Sequence, residues 1–304
     1  MIVKQTALTV PARESLFSST ETGLVDTESQ DYSYHDDFTR LSATMIKQFR
    51  KNRGKFRAIY VDRTEPPMMS KRHMDLGSIV HAVFLEKKAV EDFVGIYPRR
   101  ALKSNGDINS KPAALFERQN PQFEFFRKPT EMDQIHSIVS AIENHSIAKK
   151  WMLHPRSLRE QPLFWVDEQT GMPCRCQVDF VLETKTRMLA FDLKVTVNYS
   201  ADAFSTYLSG NRKGGMRGWV QAAHYSSGIQ ATFGKPVEMR FVTVNPDTPH
   251  QIGVHQLDGS TSHSVVEEYR KTMHDIAECR RNGDWREAWE KTDNKISMAY
   301  YEIT

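Results

Sequence analysis

Asp192-Leu193-Lys194, within the run Met188-Leu-Ala-Phe-Asp-Leu-Lys-Val-Thr196, combines residue types that can act on a phosphate ester. Read as a β-strand, the run alternates: Leu189, Phe191, Leu193 and Val195 point one way, Ala190, Asp192 and Lys194 the other. An acid and a lysine therefore share one face, with an apolar face behind them. Upstream, Cys174-Arg-Cys-Gln-Val-Asp-Phe-Val-Leu182 alternates too, with Cys174, Cys176, Val178, Phe180 and Leu182 as its apolar face and Asp179 on the polar one. Two carboxylates and an ammonium converging from adjacent strands suit magnesium-dependent phosphodiester hydrolysis. That reaction needs barrier lowering on the order of 20 kcal/mol, mostly by placing a water and neutralising charge in the transition state. Magnesium does both and prefers hard oxygen ligands. Asp179 and Asp192 would hold the ion with a backbone carbonyl near Leu193, while Lys194 would orient or help deprotonate the water. An isolated Asp-x-Lys is more often a salt bridge on an exposed sheet face, so the surrounding elements decide.

Those elements begin with an arm. Residues 1–30 are rich in Ser, Thr and Glu with little to bury, which predicts a flexible segment and a single domain over 31–304. Ser42 is a fitting N-cap for a helix to about Phe49, and Pro66-Pro67 breaks the chain. A second helix is predicted over His73–Val90, its apolar stripe made by Leu76, Ile79, Val80, Val83 and Phe84. His81 lies at the edge of that stripe, where a side chain reaches a semi-buried site. Glu86 lies roughly 140° away around the helix and does not share that direction. Residues 98–130 read as loop with short helical pieces, followed by a helix over Met132–Trp151. Three strands follow at Pro162–Glu168, Cys174–Leu182 and Met188–Val195. A Gly-rich segment, Ser209–Gly218, precedes a helix over Trp219–Thr232, on which Gln221 and Tyr225 share a face. Strands at Val237–Asn245 and Ile252–Leu257 and a closing helix over Ser264–Asn282 complete an α/β domain, a central mixed β-sheet flanked by helices.

The chain has 304 residues, 39% of them hydrophobic, an ordinary figure for a soluble globular protein. No apolar run approaches the roughly 20 residues of a membrane-spanning helix, and the N-terminus lacks a signal-peptide pattern, so a soluble intracellular protein is expected. The cysteines Cys174, Cys176 and Cys279 are odd in number, which argues against a disulfide framework, and Cys174 and Cys176, on the inferred core face, read as buried thiols. A net charge of +3 announces no polyanion partner, but its distribution is uneven. Lys47, Arg50, Lys51, Arg53, Lys55 and Arg57 crowd one stretch, and Arg212, Lys213 and Arg217 flank a Gly-Gly pair. Such clusters can track a phosphate backbone.

Taken in order, these segments resemble the PD-(D/E)XK nuclease superfamily, specifically its exonuclease VIII (RecE-type) branch, over most of residues 34–290. The resemblance is carried by Tyr34-His35 with Leu41-Ser42, by Gly77-Ser-Ile-Val-His81-Ala-Val-Phe-Leu-Glu86 and by Glu160-Gln-Pro-Leu-Phe-Trp165. It continues through Thr170-Gly-Met-Pro-Cys-Arg-Cys-Gln-Val-Asp179, Phe191-Asp-Leu-Lys194 and the Gln-x-x-x-Tyr helix of Gln221-Ala-Ala-His-Tyr225. Val195 stands where that branch commonly has Thr, and Val178 where it has Pro; neither position is a ligand. By this resemblance His81, Asp179 and Asp192 are metal ligands, Lys194 is the catalytic lysine, and Gln221 and Tyr225 support the site or contact the DNA backbone. Glu160, before the first strand, is either a supporting acid or a solvated strand-end residue. The resemblance implies a Mg2+-dependent enzyme, with Mn2+ able to substitute, that degrades linear duplex DNA 5′ to 3′ and releases 5′-mononucleotides. It further implies 3′ single-stranded tails handed to a single-strand annealing protein in recombination and a ring-shaped homo-oligomer. The setting it implies is the cytoplasm of a bacterial host, for a phage- or prophage-encoded protein. A restriction-like or structure-specific endonuclease, or a non-catalytic DNA-binding protein on a decayed nuclease fold, are the alternatives.

Overall fold

The computed structural model describes residues 23–24, 37–67, 72–210 and 217–292. A short strand β1 (Gly23–Leu24) precedes helices α1 (Ala43–Lys51) and α2 (Arg53–Phe56), a π-helical turn at Arg57–Val61 and α3 (Arg72–Phe84). A small insertion follows: α4 (Val90–Phe93), β2 (Val94–Ile96), α5 (Ser110–Gln119) and β3 (Phe125–Arg127). Then come α6 (Pro129–Asn144), α7 (Ser146–Trp151) and the strands β4 (Leu158–Val166), β5 (Pro173–Glu183) and β6 (Met188–Val195). The chain closes with α8 (Ala201–Ser209), α9 (Gly218–Phe233), β7 (Val237–Val244), β8 (Ile252–Gln256) and α10 (Gly259–Asn282).

The central sheet has the order β1-β4-β5-β6-β7-β8. All neighbours are antiparallel except β6 and β7, which run parallel because α8 and α9 return the chain to the opposite end. One face is covered by α1, α9 and α10, where Leu163, Trp165, Cys174, Cys176, Val178 and Ala190 meet Ile46, Phe49, Val220 and Met273. On the other face Phe180, Leu182, Leu189, Phe191 and Leu193 pack on Val80 and Phe84 of α3, Ile138 and Ile142 of α6, and Ala148 of α7. Helix α9 lies close on the sheet. A Cβ at Gly228 would meet Trp165 Cζ3 at 2.6 Å, so glycine permits the approach.

Several boundaries differ from those the sequence predicts. The first sheet-forming strand of the trio begins at Leu158 and ends at Val166, so Glu160 lies inside it. Helix α3 stops at Phe84, before Lys87 with its φ of +56°. The helix predicted over 132–151 is two: His145 is extended (ψ 126°) and caps α7 by accepting from the Ala148 N–H. The insertion is more ordered than a loop. Parallel β2 and β3 pair there, beside an aromatic cluster of Tyr97, Phe116 and Phe126. Gly23–Leu24 of the predicted arm pairs with Phe164 and Leu163 along β4, giving that edge a partner. Tyr34-His35 lies outside the described residues.

The apolar face expected along the whole of β5 is also corrected. Cys174, Cys176 and Val178 face α9, but after Asp179 the sides exchange: Val181 faces α9, while Phe180 and Leu182 face α3. Both sheet faces are covered, so burial does not force strict alternation.

Candidate active site

β5 and β6 pair from Glu183–Met188 to Phe180–Phe191, the last registered pair of this ladder. Asp179 stands at the point where pairing ends. Its Oδ2 accepts the Leu193 N–H at 2.6 Å, so the carboxylate replaces the missing ladder partner. The Leu193 carbonyl is met by His81 Nε2 at 2.9 Å. His81 reaches it because α3 packs across Leu189, Phe191 and Leu193 through Val80 and Phe84.

Glu160 completes this group from β4. Its φ of +46° is a left-handed conformation rare for a side chain other than glycine. Gln177 of β5 fixes the result: Nε2 donates to Glu160 Oε2 at 2.9 Å and to the Glu160 carbonyl at 3.2 Å. The other oxygen, Oε1, is buried without a hydrogen bond and lies 3.7 Å from His81 Nδ1. His81 Nε2 is also 3.7 Å from Asp179 Oδ2. His81, Glu160 and Asp179 each offer a ligand atom, all within 4.8 Å of one another.

Asp192 and Lys194 approach from the α9 side of β6. Asp192 is fully buried, its Oδ2 ion-paired with the Lys194 ammonium and its Oδ1 accepting from Gln221 Nε2 at 2.6 Å. Gln221 Oε1 in turn accepts from Lys47 Nζ at 3.2 Å. The expected polar face is thus real but buried beneath α9, unlike an ordinary surface salt bridge.

The electrostatics follow from burying this much charge. Burial, reinforced by the Asp192 carboxylate, pushes Asp179 up to about 7. Burial opposes a charged His81, yet Asp179 and Glu160 outweigh it and raise the ring to about 9. For Lys194 burial is again opposed, and the Asp192 and Asp179 carboxylates raise its pKa. Lys47 goes the other way, lowered to about 8 by burial and then by the Lys194 ammonium. Without a cation, Asp179 and His81 keep protons they would otherwise give up.

That donor set fits a divalent cation. Carboxylate oxygens and a backbone carbonyl are ordinary ligands for magnesium or manganese. The imidazole is a softer donor, better suited to manganese than to magnesium, and the buried Glu160 Oε1 accepts no hydrogen bond that a cation would have to displace. His81, Asp179 and the Leu193 carbonyl stand together as expected. Glu160 joins them as a candidate ligand inside its strand, correcting its place before the strand, whereas Asp192 lies beside the cluster, engaged by Lys194 and Gln221. Gln177 was missed: it sits beside Asp179 in the same strand, and only the pairing of β4 with β5 reveals what it holds.

The remaining candidates divide. Tyr225 is half-buried against the core. Arg50 pairs with Glu268 at 3.1 Å and lies over the Trp219 ring, and Arg53 pairs with Asp275 at 2.8 Å, tying α1 and α2 to α10. Lys51 is exposed, and Arg217 is the left-handed N-cap of α9. Arg212 and Lys213 lie outside the described residues.

The sequence family described as the PDDEXK-like domain of unknown function (DUF3799) matches residues 42–296. The chain belongs to that family. Its PDDEXK-like fold is shared with a crystal structure from Eubacterium rectale that carries a provisional exonuclease assignment. The two superpose with a TM-score of 0.55 at 13% identity, covering 92% of this chain and 97% of that one. No curated protein sequence matches the chain. The family places this domain in the PD-(D/E)XK superfamily expected from its motifs; the narrower exonuclease VIII branch is a further step. Among the described residues of this PDDEXK-like domain, no helix is long and apolar enough to cross a membrane.

Proposed function

We propose that this PDDEXK-like domain is a metal-dependent nuclease that digests linear duplex DNA from its 5′ ends, releasing 5′-mononucleotides. The observation that carries the reading is the meeting of His81, Glu160, Asp179 and the Leu193 carbonyl beside the Asp192–Lys194 pair. A cation held there would activate a water and offset charge on the transferred phosphoryl group. Asp179 and Glu160, with the Leu193 carbonyl, would be its oxygen ligands, and His81 would add a nitrogen once it surrenders its Nε2 proton. Asp192 keeps the Lys194 ammonium charged and aimed into the site, where it can orient the attacking water and stabilise the developing negative charge. Lys51 and Arg217, with Arg212 and Lys213, are our candidates for contacts to the DNA backbone.

Exonuclease polarity, the 3′ tail, a single-strand annealing partner, a ring-shaped homo-oligomer, Mg2+ as the working ion with Mn2+ as substitute, and a phage- or prophage-encoded role in the bacterial cytoplasm follow from the sequence resemblance. The deciding experiment digests duplex labelled separately at each 5′ and 3′ end, with and without Mg2+, beside a covalently closed circle. Early release of the 5′ label with the circle intact supports the reading. Nicking of the circle means a restriction-like or structure-specific endonuclease instead. No Mg2+-dependent digestion of any substrate means a non-catalytic DNA-binding protein.

A further inference from the structure

Lys47 stands in the basic stretch that the sequence offers to DNA, yet its ammonium is turned inward to Gln221. We infer that Lys47 is a positioning residue of the active site, fixing the Gln221 amide so that it presents its NH2 group to Asp192. This rests on the nuclease reading and deepens it.

The argument is one of donors and acceptors. A glutamine amide has an NH2 side and a carbonyl side of nearly the same shape, so sterics alone do not choose between its two orientations. Gln221 Nε2 lies 2.6 Å from Asp192 Oδ1, which requires a donor at that end. Its opposite end must then be an acceptor, and Lys47, which can only donate, lies 3.2 Å from it. With the amide reversed, an NH2 group would face an ammonium and a carbonyl oxygen would face a carboxylate. Lys47 excludes that arrangement, and Asp192 is left with Oδ1 on Gln221 and Oδ2 on Lys194. The three links cross α1, α9 and β6, so one lysine ties the setting of the catalytic pair to the docking of two helices.

Lys47→Met, Lys47→Arg, Gln221→Leu and the double variant Lys47→Met/Gln221→Leu distinguish this role from a DNA contact. Two quantities are read: Mn2+ affinity by calorimetry on the full chain, and the cleavage rate at saturating linear duplex. Lys47→Met should weaken Mn2+ binding and slow cleavage by roughly 10- to 100-fold, the range for residues that orient a metal site. Its affinity for duplex in Ca2+ should change less than about twofold, and Lys47→Arg, which still donates, should recover most of the loss. Because Lys47 acts through Gln221, the double variant should be no worse than Gln221→Leu alone. Parental Mn2+ affinity and saturating rate in Lys47→Met, with weakened duplex binding, would make Lys47 a backbone contact and overturn the inference. Multiplying losses in the double variant would also overturn it. A parent that binds Mn2+ but digests no DNA sinks the nuclease reading only, since the calorimetric comparison still decides the role of Lys47.

Discussion

Asp192 commits both carboxylate oxygens inside the protein, to Gln221 and to Lys194, and has no exposed surface. Removing either partner of such a pair leaves an uncompensated charge, which typically costs about 3–5 kcal/mol. Lys194→Ala is therefore expected to lower the unfolding free energy measured in urea as well as to abolish cleavage. Asp192→Ala should abolish cleavage too, and both variants should still bind duplex DNA in a gel-shift assay. Parental digestion by either would mean that the site is misassigned. Asp179, Asp192, Lys194 and His81 were legible in the sequence because each obeys a simple period, alternation on a strand or the edge of a helical stripe. Glu160 was only half legible. Its direction depends on a left-handed backbone and on the Gln177 side chain from the next strand, neither of which leaves a periodic trace.

The elements carry their own tests. A left-handed residue other than glycine inside a strand costs on the order of 1 kcal/mol. Glu160→Gly should accordingly leave the cation-free protein as stable as the parent or more so, while weakening Mn2+ binding in calorimetry. Glu160→Val, β-branched at the same backbone angle, should destabilise it by more than about 1 kcal/mol. Where α9 rests on the sheet, Gly228→Ala would drive a methyl into the Trp165 ring. Overpacking of this kind costs roughly 1–3 kcal/mol; because α9 also carries Gln221, cleavage should fall with stability. Helix α1 was readable because its cap, Ser42, and its period agree, whereas α10 begins at Gly259 behind the cap Asp258, ahead of the Ser264 start that the apolar spacing suggests. The insertion was not, since β2 and β3 span three residues each, too few for alternation to register. The break at His145 was hidden for a related reason: the apolar spacing runs through it, and only the cap marks it.

At the scale of the whole molecule, charge burial ties stability to pH and to cations. His81 has a folded pKa near 9, above its ordinary 6.5, so its stabilising contribution is present below pH 6.5 and is lost as pH rises toward 9. Asp179, raised to about 7, acts in the same direction between its ordinary value and 7. His224, lowered to about 4 by burial, opposes them below 6.5; Lys47, lowered to about 8, opposes them above 8. Between pH 6.5 and 8 the His81 effect stands clear of both. The melting temperature of the cation-free protein should fall across that window, and Mg2+ should raise it more at pH 8 than at pH 6.5, because binding displaces protons. A flat or rising profile without metal would contradict the site's electrostatics. Duplex binding should weaken as salt rises, since neutralised phosphates release counterions.

Cys174, Cys176 and Cys279 are all sealed in the packing between the sheet and the helices above it, and burial pushes their thiols up. An alkylating reagent added to the native protein thus meets almost no thiolate. The rate at which it labels the chain becomes a clock for how often α9 and α10 lift away, and a ligand that holds those helices down should slow it.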